Sequence, residues 1–188
     1  MSRKTQEEVA DHAAVLGFWF EELKPAQHFR KSAALDQLIR ERFLATHGAA
    51  ARGELSAWRD SPEGRLAEII VLDQFSRNLY RDDARAFACD GMALALAQEA
   101  VRAGADQALP PPRRAFLYMP YMHSESSRIH ETALQLFSQP GLEYSLKFER
   151  EHRELIERFG RYPRRNAALG RVSTTAEKAY LAEPGAGF

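Results

Sequence analysis

The chain has 188 residues, 26 basic and 26 acidic side chains, a formal net charge of zero and a single cysteine. That length suits one compact domain, able to bury roughly 70% of its unfolded surface without disulfides or a structural metal. Zero net charge argues against wholesale capture by nucleic acid or an acidic membrane, and Cys89 has no partner in the chain, as fits a reducing cytoplasm. Glu7, Glu8 and Asp11 interrupt any signal-peptide pattern, and the apolar run "AAVLGFWF" is too short to cross a bilayer, so a soluble cytoplasmic protein is expected.

Alanine fills 30 positions and leucine 20, against 15 for valine, isoleucine and threonine together, a balance that favours helix over strand. Val9, Ala13, Leu16 and Phe20 mark one face of a first helix; Leu35, Leu38, Ile39 and Phe43 mark a second. Ser61 is a good N-cap, Pro62 suits the first helical position and Glu63 the positive first turn, so a third helix runs from there to about Tyr80. A fourth covers about 91 to 103 and stops at Gly104. After "LPPPRR" a fifth reaches His123 with a kink expected at Pro120. A sixth follows "SESS", capped by Ser124 or Ser126, and a seventh spans about 142 to 159, ending at Gly160. Thr174 and Glu177 form a capping box for a short last helix. The expected fold is all-α: seven to eight helices stacked as antiparallel pairs, with no sheet. Residues 1–183 form one helical domain and 184–188, "PGAGF", a flexible tail.

Charged residues interrupt these apolar faces. Asp73 lies on the face of Leu66, Ile69 and Ile70, and Arg77 follows one turn later, close enough for their side chains to meet. A carboxylate on such a face needs a partner. Asn78 and Arg81 come next. This is either a buried structural ion pair followed by arginines at a helix C-terminus, or the wall of a site; the two are compatible. In the seventh helix Phe148, His152, Leu155 and Phe159 share a face, so His152 points inward. Glu149/Arg153, Arg150/Glu154 and Glu154/Arg158 read as solvated outer pairs.

The densest feature is "ERFGRYPRRNAALGR". Between Glu157 and Glu177 there is no acid, while Arg158, Arg161, Arg164, Arg165 and Arg171 all fall in that gap. Gly160 and the Tyr162–Pro163 step predict an ordered loop, with a short helix starting at Pro163 and ending near Gly170. Such arginines require acids elsewhere, with Asp73, Glu68 and Glu125 as candidates, or an anion between them.

Several chemistries are absent from the sequence. There is no H-E-x-x-H, no cysteine pair for zinc, no glycine-rich phosphate loop and no G-x-S-x-G elbow. Cys89 reads as a buried small residue. His123-x-Glu125 with His152 is only a weak metal signal. Neither a metal nor a cofactor is expected.

"VLGFWF", "SPEGRLAEIIVLDQFSRNLYR", "FLYMPYMHSE" and "FEREHRELIERFGRYPRRNAALGRVST" stand in the order and spacing of the bacterial domain-of-unknown-function 924 family. The chain resembles that family from about Val15 to Leu181. The resemblance implies an all-helical fold similar to tetratricopeptide-repeat domains and implies no established activity. The family's motif blocks fall on Asp73, Gln74, Arg77 and Asn78, on His123, Ser124 and Glu125, and on His152, Gly160, Arg161, Pro163, Arg165 and Asn166. Two departures stand out: Arg164 replaces the family's common histidine, and His130 stands where a glutamine often follows.

The candidate ligand-binding residues are therefore Asp73, Arg77, Asn78, Arg81, His123, Glu125, His152, Arg161, Arg165 and Asn166. A groove lined by them suits an anionic small molecule or the acidic end of a peptide. The alternative is an enzyme acting on an anionic substrate, with His123 or His152 as general acid/base. Nucleic acid is the weakest candidate partner and a membrane is not expected. The oligomeric state is not legible.

Overall fold

The structure, a computed structural model, describes residues 8–187. The first seven residues of the expected domain and Phe188 of the expected tail lie outside the described residues. Asp11 caps α1 (His12–Gly17) by accepting from the Ala14 N–H at 2.7 Å, and the helix runs on as a π turn, Phe18–Glu22. After the single turn α2 (Pro25–His28), Ser32 caps α3 (Ala33–Ala51). Ser61 caps α4 (Pro62–Ile70) as its sequence dictates, with Pro62 at the first position. The rod then widens into a π turn, Val71–Phe75, and resumes as α5 (Ser76–Leu79). Periodicity does not reveal that turn.

α6 (Asp90–Arg102) stops at the left-handed Gly104, and α7 (Pro111–Met122) carries Pro120 in its interior. α8 (Ser127–Phe137) and α9 (Glu143–Phe159) follow, the latter capped by Gly160 at φ 70°. Past a 3-10 turn at Pro163–Arg165, Thr174 and Glu177 form the expected capping box of α10 (Thr175–Leu181). Taking α4 and α5 as one rod, and setting aside the single turn α2, the described residues hold eight helices and no strand. Successive helices α6, α7, α8 and α9 pack against their neighbours through short connections, an order compatible with a stack of helix pairs.

The α4 rod sits at the centre. Leu66, Ile69, Ile70, Leu72 and Phe75 are buried against Trp19, Phe18 and Phe43. Phe75 packs with Phe43 at 4.9 Å and with Trp19 at 5.6 Å between ring centroids. A second, smaller cluster of Leu155, Ile156, Tyr162, Tyr180 and Ala186 forms around the end of α9. Residues of the expected tail have placed contacts here: the Ala186 carbonyl accepts from Arg164 at 2.7 Å, and the Gly187 carbonyl from the Tyr180 hydroxyl at 2.7 Å.

Several local expectations need correction. Val9 and Leu38 are exposed, since α1 and α3 pack through other positions of those faces. Ser126 occupies the N-cap of α8 but makes no side-chain cap bond; its N–H donates to the Ser124 hydroxyl instead. Glu149 is not on the solvated face of α9. It is fully buried and bonded to His130 Nδ1 at 2.7 Å, while Arg153 pairs with Glu157. Cys89 is half-buried rather than buried.

Candidate functional site: an arginine–histidine cavity beside an apolar groove

The π turn points Asp73 into the protein, and its side chain is 1% exposed. Its carboxylate meets Arg77 Nη1 at 3.2 Å, His123 Nδ1 at 2.7 Å and the Gln74 amide. Burial pushes the Asp73 carboxyl up, but Arg77 and His123 outweigh it and hold the group well below the usual carboxylate range. An ionised carboxylate only accepts, so His123 Nδ1 carries the proton and Nε2 is left as that ring's acceptor. Burial pushes His123 down, and the opposing pull of Asp73 does not restore it. His123 therefore stands as a neutral imidazole near pH 7, at the C-cap of α7.

Asp90, the first residue of α6, joins two guanidiniums. It takes a fork from Arg77 at 3.0 and 3.1 Å and one bond from Arg165 at 3.2 Å. Arg165 also donates to the His123 carbonyl at 2.9 Å and lies over the rings of Phe87 and Tyr162, 4.8 and 4.6 Å from their centroids. Burial and the neighbouring Arg77 push its pKa down.

His152 completes the wall. Its Nδ1 donates to the Phe148 carbonyl at 2.8 Å, and its ring lies 6.2 Å from that of His123 and 5.5 Å from Tyr162. Burial drives it down to about 3, so it too is neutral near pH 7. Arg77, Phe87, His123, His152, Tyr162, Arg164 and Arg165 enclose a cavity of about 240 Å³. Arg164 donates only to the Ala186 carbonyl, so among the described residues its charge has no carboxylate partner.

The sequence candidates thus divide. Asp73, Arg77, His123, His152 and Arg165 come together. Asn78 and Arg81 turn the other way and lock onto Asp36 of α3, at 2.8 Å for Asn78 and 2.6 and 2.7 Å for Arg81. Arg161 forks onto Glu177 at 2.6 and 2.9 Å, and Asn166 reaches the same carboxylate at 3.3 Å, so both serve the smaller cluster. Glu125 lies behind the wall, bonded to Arg171 at 2.7 and 2.9 Å and to the Tyr162 N–H at 2.7 Å. Glu68, read as a partner for the loop, pairs with Arg59 instead. Asp36, Asp90, Glu125 and Glu177 supply acids for Arg81, for Arg77 and Arg165, for Arg171 and for Arg161, and among the described residues Arg164 has none.

Sequence reasoning missed Asp90, Phe87 and Arg164. Asp90 carries no local signal beyond being an acid in a helix's first turn, and its partners lie 13 and 75 positions away. No three of the described histidine, cysteine, aspartate and glutamate residues are arranged to hold a metal ion.

On the far side of the two imidazoles lies an apolar groove of about 560 Å³. It runs between α2, α7 and the start of α9, and its lining includes Phe20, Phe29, Phe116, Met119, Met122 and Phe148, with His123 and His152 at one end.

The model of the family described as "Bacterial protein of unknown function (DUF924)" matches residues 15–185. The chain belongs to this family. The solved structure of a "Protein of Unknown Function ATU0120" from Agrobacterium tumefaciens is similar at 40% identity and a TM-score of 0.87, covering 92% of this chain and 97% of that one. No curated protein matches the chain. No helix among the described residues of this DUF924 member is long and apolar enough to cross a membrane.

Proposed function

We propose that this DUF924 protein binds a small monoanionic molecule, in the bacterial cytoplasm, at the cavity walled by Arg77, Arg164 and Arg165. One observation carries the reading. Three guanidiniums line the cavity, Asp73 and Asp90 answer Arg77 and Arg165, and the two histidines are neutral, so among the described residues the wall holds one positive charge in excess, on Arg164. An anion with planar oxygens suits arginine forks better than a bare point charge does. The acidic end of a peptide offers the same chemistry and is an arm of the test.

A second reading has a specific observation behind it. Asp73 fixes the proton of His123 on Nδ1, which makes Nε2 a proton acceptor beside the anion site, as a general base requires. His152 is held in the same tautomer by the Phe148 carbonyl. Catalysis would then need only a substrate proton within reach of His123.

Titration with acetate, phosphate and a short acidic peptide, followed through the ring protons of His123 and His152, tests the binding reading. Acetate is expected to shift both rings, and Arg164→Gln to weaken it about fivefold, the upper range for an exposed charge, while Arg30→Ala leaves it unchanged. Equal acetate affinity in wild type and Arg164→Gln would remove the excess charge as the cause. Preference for the peptide over acetate would move the assignment to a peptide end.

A further inference from the structure

The cationic cavity and the apolar groove are separate hollows, yet both are lined by His123 and His152. The groove of about 560 Å³ falls in the size range of roughly 300–1,000 Å³ typical of small-molecule sites. Its lining is mostly aromatic, methionine, leucine and proline, with His28 and Ser145 among them. Phe29 lies parallel to Phe116, 6.1 Å between centroids and 5° between planes, and remains 63% exposed at the rim. Tyr144, which also lines the groove, is 70% exposed and packs edge-on against Phe148. Large apolar rings held at a rim mark a surface that gains from being covered.

Charge settles what kind of occupant suits the groove. Its apolar stretch carries no ion pair among the described residues, whereas its histidine end abuts Arg77 and Arg165, which share Asp90, and Arg164, which has no acid partner among the described residues. A ligand filling only the groove leaves the cations unanswered, and one filling only the cavity leaves the apolar rims in water.

We propose that the ligand is a single amphipathic carboxylate, with its head among Arg77, Arg164 and Arg165 and its unbranched or aryl body in the groove, passing the His123–His152 pair at the joint. This rests on the anion reading above and adds the apolar body to it. The two imidazoles are suited to that joint, since each presents an apolar ring face while its Nδ1 proton is committed elsewhere, to Asp73 and to the Phe148 carbonyl. Met119 and Met122 give the groove adaptable walls, so chain length is expected to matter more than exact shape.

Calorimetry and ring-proton titration with acetate, octanoate and octanol separate the two parts. Each buried methylene strengthens binding about fourfold, so octanoate, with six more carbons than acetate, is expected to bind at least about thirtyfold tighter even when only half its chain is covered. Ser145→Trp places an indole in the groove from a half-exposed position on α9, and an unchanged melting temperature checks that the fold is kept. It is expected to bring octanoate down to the affinity of acetate while leaving acetate unchanged. Arg164→Gln is expected to weaken both acids alike. Octanoate binding no tighter than acetate overturns the amphipathic ligand and leaves the anion reading standing. Octanol binding as tightly as octanoate overturns the anion reading and leaves only an apolar groove. If none of the three binds, both are overturned.

Discussion

At the scale of single residues, Asp73 ties three side chains into the cavity wall: Arg77, His123 and Gln74 all bond to it. Removing it leaves the largely buried Arg77 with Asp90 alone, which Arg165 already shares, and takes the acceptor from His123 Nδ1. Asp73→Ala should therefore cost about 3–5 kcal/mol, the usual loss on breaking a buried pair; denaturant melts give the value, and a loss under about 1 kcal/mol would mean that water already screens the pair. The histidines predict a pH dependence whose sign is fixed. His123 and His152 bind protons less readily folded than unfolded, so below about pH 6.5 the unfolded chain holds more protons and stability falls as pH falls. With His152 near 3, its share of the loss between pH 6.5 and pH 5 is about 2 kcal/mol. His28 and His47 are shifted in the same direction by burial, so the diagnostic quantity is a difference. His152→Gln should lose about 2 kcal/mol less than wild type between pH 7 and pH 5. An unchanged acid slope would mean that His152 accepts its proton without cost.

At the scale of elements, local signals proved reliable wherever the cause is local. Ser61, Gly104, Gly160 and the Thr174–Glu177 box act where their chemistry places them, because a cap is decided within three or four residues. The Asp73–Arg77 bond was legible for the same reason. Asp36 as the lock for Asn78 and Arg81 was not, since those partners lie 42 and 45 positions away and the sequence says nothing of which helix faces which. Glu149 misled through its setting: it has Arg153 four positions on, the spacing of a surface pair, but it turns inward to His130, whose identity is the only hint. Gly64 is a case where element and neighbour disagree. Within a helix, Gly→Ala ordinarily stabilises by about 1 kcal/mol. A Cβ here, however, would stand 1.9 Å from the Trp58 carbonyl oxygen, a backbone atom that cannot swing aside. Gly64→Ala is therefore expected to destabilise by about 1–3 kcal/mol, the cost of overpacking. A raised melting temperature would show that the 56–60 turn yields freely.

At the scale of the whole molecule, the arginine loop ties the smaller cluster to the main body. Glu125 holds Arg171 and the Tyr162 N–H together, and the Tyr162 hydroxyl donates to the Met122 carbonyl at 2.6 Å. The loop is thus ordered by acids distant in sequence and not by its own composition, which is why the basic run could be noticed early but not explained. Cutting one tie should loosen the rest: Glu125→Ala is expected to speed tryptic cleavage after Arg161, Arg164, Arg165 or Arg171 at least about tenfold under native conditions. Cleavage at the wild-type rate would mean that Glu177 and Tyr162 alone hold the loop. The π turn at Val71–Phe75 has a wider consequence, best put in terms of chain length. A π turn accommodates one residue more than a regular helix, and each residue is worth about 100° of helical rotation. Deleting any one of 71–75 would let the rod run as plain α-helix while leaving everything after it in its present rotation relative to Leu66 and Ile70. Arg77 would keep Asp90, and Asn78 and Arg81 would keep Asp36, so the loss falls on the turn itself, where Asp73 meets His123. The extra residue thus re-aims one buried carboxylate without turning the faces that follow it.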